Sequence, residues 1–155
     1  MYDIIRFKAE KEEEKKQGLE LVCLESLAKK SYSIFSDLEE AKALAKKTKF
    51  IYISSYRVDE ALAKIMAQNQ NIFVVAISDF FLIDLNEMKK RLGYLKVALK
   101  IIKKYNVNVR FFTLAKEKFE LRNRYEILFF SKYFGFDNQY LKKIEKEKFL
   151  EEKTG

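Results

Sequence analysis

The sequence predicts an α/β fold with about six mostly parallel strands. Three observations carry this. Short apolar segments alternate with segments of helical spacing across residues 20–113, and parallel strands joined by right-handed helical crossovers satisfy that alternation. Ile72 to Ile77 is apolar at six consecutive positions, as in a strand covered on both faces. The chain has 155 residues, 48% of them hydrophobic, enough for one packed domain and too few for two ordinary ones. An eight-stranded barrel takes ~250 residues, so the choice lies between an open doubly wound sheet and a reduced barrel.

The elements follow in order. Tyr2 to Phe7 reads as a first strand, residues 8–17 as a charged helical surface stopped by Gly18, and Leu19 to Leu24 as a second strand. Tyr32 to Phe35 gives a third. Ser36-Asp37 offers an N-cap for a helix with Leu38, Ala41, Leu44 and Ala45 at helical spacing. Phe50 to Ile53 is the fourth strand, and Asp59 opens a helix to about Gln70 with Leu62, Ile65 and Met66 inward. After the fifth strand, Asp84 opens the longest helix, ending near Tyr105, and Val107 to Phe112 is the sixth strand. Two helices close the chain, about 124–134 and 138–152, with Gly135 stopping the first.

Composition narrows the chemistry. Histidine is absent, which removes imidazole bases and His-based metal sites. Proline is absent, and Gly18, Gly93, Gly135 and Gly155 are too scattered for a phosphate-cradling loop. Cys23 has no intrachain partner, so no disulfide framework is expected and a small buried role is. No basic segment leads into a long apolar stretch at MYDIIRFK, so neither a signal peptide nor a membrane partner is expected. The expected location is cytoplasmic.

Charge is distributed unevenly. Residues 1–83 hold 13 Lys/Arg and 13 Asp/Glu, whereas 84–155 hold 18 and 10, so the whole net charge of +8 lies in the second part. That asymmetry suits a polyanionic partner, RNA or DNA ahead of membrane; the plainer explanation is a lysine-rich solvated surface. On the long helix, Leu85, Met88, Leu92, Leu95, Leu99 and Ile102 share an inward arc. Lys89, Lys96, Lys100, Lys103 and Lys104 form a stripe with no acid among them, and Gly93 lies close to it. The stripe is either a rail facing phosphates or a solvated face whose stems rim the core. Lys116, Lys118, Arg122 and Arg124 cluster with Arg110 around the end of the sixth strand, where βα folds place sites. Arg122 suits a planar two-point phosphate contact.

Asp37, Asp59 and Asp79 also follow strands, and oxygen ligands suit Mg²⁺; helix caps are the simpler use. A degenerate Mg²⁺-dependent barrel phosphoesterase therefore stays open. So does a protein-interaction module docking through the aromatic helix 124–136, where Phe129, Phe130, Tyr133, Phe134 and Phe136 suit core or interface.

Three blocks in order give a resemblance. VDEALAKIMAQNQNIFVVAISDFFL (58–82), EMKKRLGYLKVALKIIKKYNVNVRFFTLA (87–115) and FELRNRYEILFFSKYFGF (119–136) are similar to successive segments of ribonuclease P protein component 3, the archaeal and eukaryotic thirty-kilodalton subunit family. YSIFSDLEEAKALAKKTKFIYIS (32–54) resembles the preceding β-α-β unit more loosely. Arg122, Glu126, Ile127 and Gly135 fall in register, while Glu60, Asp79, Thr113-Leu114, Arg124 and Tyr125 depart from the family pattern. The resemblance covers residues 32–136 of a single domain, 1–155, with a shortened N-terminal part (1–31) and a C-terminal helix (137–155).

The resemblance implies a reduced or open TIM-like βα barrel with no metal ligands and no intrinsic activity. It implies a noncatalytic subunit that binds ribonuclease P RNA, usually alongside protein component 2, and meets precursor tRNA through the complex. Removal of 5′ leaders, and the Mg²⁺ it needs, would belong to the RNA. The residues expected on RNA are Lys89, Lys96, Lys100, Lys103, Lys116, Lys118, Arg122 and Arg124.

Overall fold

A computed structural model describes residues 1–27, 32–35, 37–81 and 83–147. They form two compact units, residues 27–111 and residues 1–26 with 112–155.

The unit of residues 27–111 carries a four-stranded sheet. Its strands are β3 (Tyr32–Phe35), β4 (Phe50–Ile53), β5 (Ile72–Ala76) and β6 (Asn108–Phe112), adjacent in chain order. The β3–β4 and β4–β5 ladders are parallel, with Phe50 opposite Tyr32 and Ile72 opposite Phe50. The connections are α2 (Leu38–Leu44), α3 (Glu60–Gln68) and α4 (Leu85–Lys104). Each begins on a carboxylate cap: Asp37 accepts from Glu39 N, Asp59 from Leu62 N, and Asp84 from Asn86 N and Glu87 N. Such caps satisfy amides that have no partner within the helix. Every residue of β4 is buried, as are Phe73 to Ala76 of β5, which is why those segments read as unbroken apolar runs. Leu62, Ala63 and Met66 of α3 and Leu95, Ala98, Leu99 and Ile102 of α4 complete this core.

The other unit contains a two-stranded parallel sheet, β1 (Tyr2–Ile5) with β2 (Glu20–Cys23), joined by α1 (Lys11–Gln17). Gly18 ends α1 in the left-handed region at φ 68°, where a side chain is strained. Ile5, Ala115 and Leu121 form a buried cluster with Phe7, Ala9 and Leu21 against it. The segment after β6 runs along β1: Leu114 N donates to Ile4 O, and Arg6 N to Ala115 O. Helices α5 (Arg124–Tyr133) and α6 (Asn138–Lys146) follow. Beyond α5, Gly135 N donates to Lys132 O and Phe136 N to Ser131 O around a left-handed Gly135 at φ 81°, the paired closure that releases a helix into a turn.

The strands lie where the sequence put them, and the ladders with resolved register are parallel. They belong to two sheets rather than to one closed barrel. Two expectations need correcting. Leu85 is 62% exposed, and Met88 and Leu92 only half-buried, whereas Leu95, Leu99 and Ile102 of the same arc are buried; the first turns of α4 overhang the packed part of the helix. Cys23 is half-buried rather than buried. Ser36 and the helix end beyond residue 147 lie outside the described residues.

Candidate nucleic-acid interface

Helix α4 is the most regular basic element. At 100° per residue, Lys89, Lys96, Lys100 and Lys103 fall within an arc of about 60° and span about 21 Å of helix. All four are exposed. Among the described residues, no acid pairs with Lys89, Lys96 or Lys100. The buried arc on the other side anchors the helix, so these ammonium groups are held on a rigid rod. Lys104 is diverted: its ammonium lies 2.7 Å from Glu60 Oε1, and Tyr105 donates to Glu60 Oε2 at 2.8 Å. Those two bonds hold the Glu60 carboxyl below its ordinary range, and Glu60 in turn raises Lys104. The stripe read from the sequence as free of acids therefore loses Lys104 to an acid 44 positions earlier.

The four remaining candidates lie in the other unit and differ among themselves. Lys116 is exposed. Lys118 lies 2.6 Å from Glu13 Oε1, a contact that lowers the Glu13 carboxyl and raises the Lys118 ammonium. Arg122 folds back on its own turn, where Nη1 donates to Phe119 O at 3.0 Å and to Leu121 O at 2.7 Å. Arg124 pairs with Glu145 and so ties α5 to α6, with its guanidinium 5.3 Å from the Tyr125 ring. Arg110, grouped with these from its sequence position, is buried, only 6% exposed, and donates to Val109 O.

A polar cluster at the strand ends was not legible. Tyr52 and Tyr56 both donate to Asp79 Oδ2, at 2.6 and 2.7 Å. Ala76 N donates to the Tyr56 hydroxyl at 3.0 Å. Burial, reinforced by the Asp79 charge, pushes the Tyr56 phenol well above its ordinary range. Arg91 Nη1 donates to Asp79 O at 3.2 Å while its Nε holds Glu87. Beside it, Arg57 lies over the Tyr94 ring and donates to its hydroxyl. A tyrosine at position 52 of an otherwise apolar strand was the available signal, since a buried phenol needs a partner.

The carboxylates weighed for Mg²⁺ are engaged separately. Asp37 caps α2, Asp59 caps α3 and pairs with Lys42 at 2.7 Å, and Asp79 takes the two phenols. Among the described residues, no group of three His, Cys, Asp or Glu converges to hold a metal.

The aromatic helix divides in two. Phe134 is buried, with Phe130 and Phe136 half-buried. Tyr125, Phe129 and Tyr133 recur every fourth residue and are 70%, 72% and 62% exposed. Three large rings on one face of α5 are more than the scattered apolar exposure of an ordinary surface.

No family model matches the sequence, and none of the curated proteins compared with it does. Among solved structures, the chain is similar to one described as "cryo-EM structure of archaeal Ribonuclease P with mature tRNA", with a TM-score of 0.65 and 17% identity. The match covers 93% of this chain and 63% of that one, so this chain spans under two thirds of its structural neighbour's length.

Proposed function

We propose that this chain is a noncatalytic protein subunit of ribonuclease P, of the component 3 kind, which binds the catalytic RNA and supports removal of 5′ leaders from precursor tRNA. The fold likeness to a chain from an archaeal ribonuclease P structure, over 93% of this chain, carries the reading. The order and spacing of three sequence blocks point to the same family. The chain-order sheet β3-β4-β5-β6 is what part of a TIM-like βα barrel presents, and we read the fold as a reduced, open version of one.

In this reading the lysines of α4 supply positioning contacts to phosphates. Such contacts fix orientation and bring affinity without reading sequence. Lys89, Lys96 and Lys100 lead because no acid among the described residues pairs with them, and Lys103 and Lys116 add to them. Lys118, Arg122 and Arg124 would exchange local partners for phosphates on binding. The chain's own residues perform no bond-breaking step: no imidazole is present to act as base, and the candidate carboxylates serve helix caps and phenols. The Mg²⁺ of the reaction is assigned to the RNA, protein component 2 to the same complex, and the location to the cytoplasm.

The test is recovery of the full chain from its own cells with sequencing of the bound RNA. Enrichment of one structured RNA together with precursor tRNA supports the reading. RNA recovered only in proportion to its abundance, or none, contradicts it.

The exposed rings of α5 favour a second reading, a protein-docking module. Tight protein binding by a chain with no RNA affinity would favour it.

A further inference from the structure

Helix α4 contains a glycine that the fold does not require. Gly93 is the ninth residue of this 20-residue helix. A glycine inside a helix is destabilising relative to alanine, and two internal reasons commonly justify one. Neither applies. Gly93 is not among the residues with positive φ, and a Cβ added there meets no heavy atom of the described residues within 4 Å beyond the helix's own adjoining backbone. The remaining physical use of a missing side chain is close approach by something outside the chain.

The surroundings indicate its chemistry. On the helix surface Lys89 lies one turn before Gly93, with Lys96 one turn and Lys100 two turns after it. These are the exposed lysines that no acid pairs with among the described residues. Val97, one turn on, is 57% exposed. The result is a notch with ammonium groups before and after it and a small apolar floor beside it. A protein partner would need acids spaced to meet lysines on successive turns. A sugar–phosphate strand carries that regular charge by construction, and its sugars suit the apolar floor.

We propose that Gly93 is the point where an RNA strand lies closest to α4, with phosphates taken by Lys89 on one side and by Lys96 and Lys100 on the other. The inference rests on the RNA-binding reading above and adds to it a contact site that charge alone does not give.

The experiment titrates the full chain and its Gly93→Ala and Gly93→Leu variants with bulk tRNA at several salt concentrations, alongside thermal melting. Gly93→Ala should melt higher than the wild type yet bind about tenfold more weakly, because the added methyl holds the strand off the helix while every lysine remains. Gly93→Leu should bind more weakly still. Retention of the lysines should keep the log-affinity against log-salt slope near the wild-type value in the alanine variant. Wild-type affinity in both folded variants overturns the contact at Gly93 and leaves the RNA-binding reading standing. A wild-type chain that does not bind the RNA overturns both.

Discussion

Tyr56 donates its phenol to Asp79 at 2.7 Å from a backbone held in the left-handed region, at φ 54°. That conformation costs a bulky side chain about 1–2 kcal/mol. It persists because the same hydroxyl accepts from buried Ala76 N and the ring stacks on Phe80, with centroids 5.7 Å apart. The pair pins the turn after β4 to the turn after β5, at the strand ends that lead into α4.

Tyr56→Phe keeps the ring and removes the hydroxyl. Ala76 N loses this acceptor and Asp79 one of two phenol donors, a loss of about 1–3 kcal/mol. Urea unfolding of the variant should show a lower midpoint at unchanged slope. An unchanged midpoint would mean that the hydroxyl contributes nothing net.

Asp3 gives the other unit a pH dependence. It is fully buried, with Oδ1 accepting from Thr113 N at 2.7 Å and Oδ2 from Thr113 Oγ1 at 2.5 Å. Burial outweighs these bonds and raises the carboxyl from 3.8 to about 7. Between those values the folded chain holds a proton that the unfolded chain has released, so stability falls as pH rises from about 4 to 7. The full loss is on the order of 4 kcal/mol. The lowered carboxyls of Glu13, Asp59 and Glu60 act in the opposite direction only below their ordinary range near 4. Denaturation at pH 5 and pH 8 should therefore show the more alkaline sample to be weaker. Asp3→Asn, neutral at both values and able to accept from Thr113 N, should remove most of the difference. An equal difference in that variant would assign it to other groups.

Leu95 is fully buried on the inward arc of α4. Leu95→Ala should cost about 2–5 kcal/mol, read as a shift in the denaturation midpoint. A shift below about 1 kcal/mol would mean that this face of α4 is loosely held.

The exposed rings of α5 should be separable from the fold. Phe129→Ser with Tyr133→Ser should shift stability by no more than about 0.5 kcal/mol per site, as exposed positions do, and leave RNA affinity unchanged. A large loss of RNA affinity would place these rings in the nucleic-acid interface instead.

The strands were legible because buried parallel strands announce themselves as short apolar runs, and the helix starts because Asp37, Asp59 and Asp84 precede apolar periodicity. The lysine face was legible because 3.6 residues per turn aligns it. Long-range pairing was not. Nothing local connects Glu60 with Lys104, Asp3 with Thr113, or two tyrosines with Asp79. Those pairs depend on which turns the fold brings together, and they decide which charged groups remain available. Arg122 illustrates the limit: its position suggests a phosphate contact, whereas its Nη1 is held by the carbonyls of Phe119 and Leu121.

RNA binding through the α4 lysines is tested most directly by affinity against salt concentration for the wild type and for Lys96→Ala/Lys100→Ala. Each phosphate neutralised releases condensed counterions, so log affinity falls with log salt by roughly 0.9 per contact on duplex and ~0.7 on single strands. The double variant should fold normally, since exposed charges add little stability, and its slope should be shallower by roughly 1.4–1.8. A folded double variant with the wild-type slope would contradict RNA binding through this face.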